Sequence, residues 1–350
     1  MSGNFVQRGA PAVIDKYTRA KAAVCCGADL VLELPLPYAV SSAEGFADGA
    51  VEIFRRLGCV DGLCFGSESG NAEELMDCAR ILQSPELIPL LKEELAKGVS
   101  FPKARQKAAV TLGANAELLD QPNNILALEY CKAILKREDF LDPMVLKRQG
   151  AYHGGREKDA PSASFLRTVE DWQDYVPKEA WEIFEEADRY TTEAGERAWL
   201  SRLRFMSESD FEALPYGSEG LWRKVMEACR TKGSLEEIID AAISKRYPRT
   251  RLQRMLLCGF LGLTEELQKA PVPYVRVLAM NSRGQEIMRS LRKNSEILLL
   301  HPGEEAPKGV YSELERRAED LYGLFRVGMP QKAGVLKDAR LFRETAQRGE

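Results

Sequence analysis

Histidine is almost missing from this sequence: only His153 and His301 occur in 350 residues. The eight cysteines, Cys25, Cys26, Cys59, Cys64, Cys78, Cys131, Cys229 and Cys258, form no C-x-x-C pair. Together these shortages argue against a zinc site, and no metal ligand is assigned. No apolar run approaches the ~20 residues that cross a bilayer, and Met1 leads into a polar stretch with no leader pattern. The expectation is a protein of a reducing cytoplasm, with no membrane partner and with thiols acting as small hydrophobes. Basic charge is not in excess either: 49 Lys and Arg face 53 Asp and Glu, for a net charge of -4. The molecule is therefore no general nucleic-acid coat, and any RNA contact must come from a local patch. Internal repeats and low-complexity segments are absent as well.

What remains is the balance of a globular chain, 45% hydrophobic and 29% charged, long enough for two or three domains. Pro11 suits a first helical position, and helical spacing continues from there to a stop at Gly27. DLVLELP (29–35) and VDGLCFG (60–66) read as buried strands and PMVLKRQG (143–150) as a third. Helices are predicted over 41–58, from about Asn71 to Gln83, in two stretches through 113, and over 122–138. This alternation predicts an α/β fold, a Rossmann-like parallel sheet with helices on both faces. Beyond about 160 helices dominate, with Trp172, Trp181, Trp199 and Trp222 expected as core. VPYVRVLAMN (272–281), a helix to Lys293 and SEILLL (295–300) form a late β-α-β unit, and a last helix covers about 310–326. The expected domains are 1–160, Rossmann-type, and 161–350, mostly helical.

Four clusters carry candidate chemistry. The loop Ser2, Gly3, Asn4, Gln7, Arg8 precedes the first helix, whose N-terminus, with Lys16 and Arg19 nearby, would attract an anion. The plainer reading is a capped surface loop. Phe65-Gly66-Ser67-Glu68 ends a strand, where open parallel sheets place their ligand crevice. The plainer reading there is a tight turn. Pro122-Asn123-Asn124 either caps a helix or reads a base edge or ribose, while Arg148 ends a strand and would project into the same crevice. His153, just beyond, is either a general acid/base or structural. Lys245, Arg246, Arg249, Arg251 and Arg254, with Tyr247 and no acid among them, suit phosphates. A solvated helix face is the plainer reading of that run.

These stretches resemble, in order, the blocks of one family. MSGNFVQRGAPAVIDKYTRAKAAVCCGADLVLELP is similar to an internal block of the bacterial tRNA(Met) cytidine acetate ligases, of the His-x-Gly-His nucleotidyltransferase superfamily. FGSES, KGVSFPKAR, QPNNILALEY, KRQGAYH, KRYPRTRLQRMLL and PYVRVLAMNSRG resemble later blocks. Each alone is weak; together they span nearly the whole chain. The resemblance implies an enzyme that joins acetate to ATP as acetyl-adenylate. The acetyl group then passes to N4 of the wobble cytidine of elongator tRNA(Met). It further implies ATP-binding roles for Gly66, Asn123 or its neighbour Asn124, and Arg148, tRNA binding by the 245–254 run, and Mg2+ with the ATP phosphates. No DNA partner is expected, and no catalytic residue is identified. The sequence has no His-x-Gly-His motif and no strand before the MSGNF block, where the family has both. On that ground the expectation is an N-terminally truncated Rossmann-type domain, an exposed strand edge, and weak or absent ATP use. Two other classes fit parts of the pattern: a nucleotidyltransferase acting on a small phosphorylated metabolite, and a non-catalytic RNA-binding protein.

Overall fold

The computed structural model describes residues 1–137, 141–149, 161–169, 171–334 and 341–343. The fold is mixed α/β with parallel strands and a helical C-terminal region. Its described strands are β1 (Phe5–Val6), β2 (Ala10–Pro11), β3 (Leu30–Leu32), β4 (Gly62–Ser67), β5 (Asp142–Lys147), β6 (Tyr274–Met280), β7 (Leu298–Leu300) and β8 (Phe342–Arg343). Two compact units form: Met1–Ser42 with Val176–Glu350, and Ala43–Tyr175. The expected boundary at 160 thus gives way to a discontinuous unit. The cause is β3, which hydrogen-bonds antiparallel to β6 and draws the first residues to the C-terminal part.

In the continuous unit, β4 and β5 run parallel from Gly62↔Asp142 to Ser67↔Lys147. The helices Ala43–Leu57, Ala72–Gln83 and Pro122–Leu135 supply the core against them through Val51, Leu75, Leu128 and Ile134. Their ends follow simple chemistry. Asn71 accepts from the Glu74 N–H as N-cap, Pro122 stands at a first position that needs no N–H, and Gly58 ends its helix at φ +67°. Contrary to expectation, β4 is not buried on both faces. Leu63, Phe65 and Ser67 are buried, whereas Cys64 and Gly66 are exposed, the period-2 pattern of a strand with one open face. β3, expected in the same parallel sheet, pairs with β6 instead.

In the discontinuous unit, β6 is buried along its whole length and flanked by β3 on one edge and by β7 and β8, both parallel to it. The expected β-α-β unit is present as β6, the helix Ser282–Asn294 and β7. Around Trp199 pack Phe260 and Phe325, and the indole N–H donates to the Leu256 carbonyl at 3.0 Å. Trp222 is also core, while Trp172 and Trp181 are only half-buried. The first helix begins at Lys16, not at Pro11, which lies in the β1–β2 hairpin. Asp15 is the reason: its carboxylate accepts from the Tyr17 and Thr18 N–H groups and fixes the helix start there. Gly9, at φ +76°, turns the hairpin so close to the backbone of Gln253 and Arg254 that a Cβ would stand 2.4 Å from it.

Candidate functional site

The register of β4 and β5 ends both strands at one place, Ser67 beside Lys147. The loop that follows β4 is tightly built. Ser67 Oγ accepts from the Gly70 N–H at 2.8 Å, and Gly70, at φ +69°, lies against Lys147. Between them Glu68 turns toward the helix Pro122–Leu135. Helix starts leave backbone donors without partners, and Glu68 takes them. Its Oε1 accepts from the Asn123 backbone N–H at 3.2 Å and from Asn123 Nδ2 at 2.6 Å. Its Oε2 accepts from the Asn124 N–H at 2.7 Å. In return the buried Asn124 Oδ1 accepts from the N–H groups of Glu68 and Ser69 at 2.9 and 3.2 Å.

Arg148 completes the cluster. Its backbone N–H donates to the Ser67 carbonyl at 2.8 Å, and its Nη1 donates to Asn123 Oδ1 at 3.2 Å. A Cβ on Gly66 would stand 3.3 Å from Arg148 Cγ, so glycine leaves the arginine its room. Gly66, Asn123, Asn124 and Arg148 are thus together in one unit. Beside them is a cavity of about 680 Å³ whose lining includes Glu68, Asn124 and Lys147. The sequence reading placed Glu68 in the strand-ending Phe65–Glu68 stretch and Lys147 beside Arg148, but gave neither a binding role. Glu68 was visible as an acid after a strand-ending glycine, but nothing local revealed a partner some 55 residues away. Gly150–His153 lie outside the described residues.

The Ser2–Arg8 loop belongs to the other unit and is not an open helix entrance. Asp15 already occupies the donors of the helix start. Arg19 donates to the carbonyls of Ser2, Gly3 and Ile14, and its burial lowers its pKa. Lys16, fully buried, pairs with Glu33 at 2.7 Å and with Glu319 at 2.5 Å. Asn4 is buried too, accepting from the Lys16 N–H and donating to Glu319. Gly3 fits because a Cβ would meet Glu33. Gln7 keeps a buried amide nitrogen without a hydrogen-bond partner, and Arg8 is exposed.

In the basic run, four side chains have partners within the chain. Arg246 pairs with Glu219, and Arg249 with Glu236 and Asp240. Arg251 donates to the Tyr216 carbonyl at 3.0 and 2.8 Å, and Arg254 stacks over the Tyr216 ring, its pKa lowered by burial. Lys245 is exposed. His301 also has its pKa lowered by burial, and its ring Nε2 meets Arg292 at 3.2 Å. Among the described residues, no group of three or more His, Cys, Asp or Glu is placed to hold a metal ion.

A family profile described as HIGH nucleotidyl transferase matches residues 1–334. The tRNA(Met) cytidine acetate ligase of Clostridium tetani is 36% identical over 340 residues, covering 90% of this chain and 84% of that protein. The enzyme of that name from Clostridium kluyveri is 36% identical over 352 residues, covering 93% and 84%. Among solved structures, Thermotoga maritima TmcAL bound with alpha-thio ATP superposes with a TM-score of 0.86 at 30% identity, covering 98% of this chain and 91% of that one. The chain belongs to the HIGH nucleotidyl transferase family, alongside the tRNA(Met) cytidine acetate ligases.

Proposed function

We propose that this protein is an ATP-dependent tRNA(Met) cytidine acetate ligase. The chemistry explains the need for two steps. A cytosine N4 amine is a weak nucleophile, because its lone pair is delocalised into the ring, and free acetate is a weaker electrophile still. An acetate oxygen attacks the α-phosphorus of ATP, the bond to the β-phosphate breaks, and pyrophosphate leaves. The N4 amine of the wobble cytidine in elongator tRNA(Met) then attacks the acetyl carbon. AMP departs, the nitrogen loses a proton, and N4-acetylcytidine remains. The protein's part is to position reactants and stabilise developing negative charge.

The observation that carries this reading is the cluster of Gly66, Asn123, Asn124 and Arg148 at the finish of β4 and β5. In this reading Arg148 supplies a cation to the nucleotide, Asn123 orients that cation, and Gly66 admits the ligand's close approach. Mg2+ would arrive with the triphosphate, and no residue of this chain is assigned to it. Lys245, Arg246, Arg249, Arg251 and Arg254 would contribute positive surface toward tRNA. None of the described helices is long and apolar enough to cross a membrane, and the reaction's substrates suit the cytoplasm.

The test is direct. With ATP, labelled acetate and tRNA(Met), the protein should form acetyl-AMP and then acetylcytidine. Arg148→Ala should slow acetyl-AMP formation at least tenfold and leave tRNA affinity nearly unchanged. Adenylyl transfer to a small phosphorylated metabolite, or tRNA binding without any ATP turnover by the parent protein, would overturn the assignment.

A further inference from the structure

Resting on the reading that this protein acts on tRNA, we infer that a basic, aromatic hollow on the helix Thr192–Phe205 is an RNA contact surface, separate from the 245–254 run. The hollow has a volume of about 490 Å³ and is lined by Arg197, Leu200, Ser201, Arg204, Phe205 and Gly233. No acid is among these residues. Arg197, Ser201 and Arg204 follow one another at helical spacing, so two guanidinium groups lie along one face. Arg204 is fixed by backbone rather than by a carboxylate. Its Nε and Nη2 donate to the carbonyls of Cys229 and Lys232 at 3.4 and 2.8 Å, and its charge is not neutralised there. The two neighbouring carboxylates are engaged by backbone: Glu196 accepts from the Leu235 N–H, and Glu237, at the rim of the hollow, from the Gly233 N–H, both at 2.8 Å.

Phe205 closes the helix with 86% of its surface exposed. A lone exposed phenylalanine is ordinary. One beside two arginines along a cavity has the two elements that hold unpaired nucleotides, a cation for phosphate and an aromatic face for a base. The 245–254 run offers less, since four of its side chains are already engaged within the chain. The partner's chemistry is therefore single-stranded RNA, a loop or an end of the tRNA, whose bases are free to stack.

The experiment measures binding of tRNA(Met) to the full protein over a range of salt concentrations. It compares the parent with Phe205→Ala, Phe205→Trp and Arg197→Glu, none of which removes a buried contact. Phe205→Ala should weaken binding about tenfold with the salt dependence unchanged, and Phe205→Trp should restore it. Arg197→Glu should weaken binding and lower the slope of log affinity against log salt by about one. Parent-like binding by all three variants would overturn this inference and leave the ligase reading intact. A parent protein that does not bind tRNA would overturn both.

Discussion

Lys16 is a fully buried cation facing two carboxylates, Glu33 and Glu319, with Asn4 donating to Glu319 and Glu315 nearby on the same helix as Glu319. Two negative groups cannot both be balanced by one lysine in a dry site. Burial, with Glu33 adding to it, pushes Glu319 up from its ordinary 4.5 to about 7, against the pull of Lys16. The folded state therefore binds more protons than the unfolded chain between those two values. Stability falls as pH rises from about 4.5 to about 7, and it is fully retained below 4.5. Calorimetry across that window should record a falling melting temperature for the discontinuous unit, and Glu319→Gln should flatten the profile. The charge on Lys16 persists well above the ordinary lysine range, because both carboxylates face it. None of this was legible locally. The sequence reading grouped Lys16 with Arg8 and Arg19 as an anion entrance, because its true partners lie after β3 and on the helix Val310–Tyr322.

The helix Pro122–Leu135 shows what one acid does for two elements. Glu68 satisfies the donors at its start, while Asn124 returns the favour to the strand-end loop. Glu68→Gln replaces one acceptor with an amide donor facing N–H groups, at a cost of about 1–3 kcal/mol. It should also raise the KM for ATP several-fold, because Asn123 would no longer hold Arg148 in place, and Asn123→Ala should do the same. Paired urea melts and ATP titrations would separate the effects: lost stability with an unchanged KM would refute the link from Glu68 to Arg148. The residue types at this site were legible. Glycine at a strand end, adjacent asparagines at a helix start and arginine at a second strand end each announce a local geometry. The carboxylate that locks them together announces nothing until the loop and helix meet. The first helix failed in the opposite way. Pro11 looked like a helix opener, but Asp15 four residues later is the cap, and Pro11 pairs with Phe5 in a hairpin.

For the whole molecule, the two units keep separate cores, one around Trp199, Phe260 and Phe325, the other around Leu75, Leu128 and Ile134. Thermal unfolding should accordingly resolve two transitions. Trp199→Ala, which empties an aromatic cluster at about 3–5 kcal/mol, should lower one. Asn124→Ala, which strands two N–H groups of the Glu68 loop, should lower the other. A single transition moved equally by both variants would contradict this division. The alternation of strands and helices made the α/β class legible, together with the late β-α-β unit. Strand partnership was not, because short apolar strands such as β3 carry no mark of which edge they will join.

The pairing of β3 with β6 also orders events at the ribosome. β3 leaves the ribosome before residues 43–175, but β6, the strand it pairs with, is not complete until Met280 is made. At about 5–20 residues per second that is a wait of roughly ten to fifty seconds. Residues 43–175 leave the tunnel meanwhile as a complete unit with a core of their own. The nascent chain thus matures from its middle outward. Until then β3, an apolar strand still without β6 along its edge, is the stretch most in need of a chaperone's shelter.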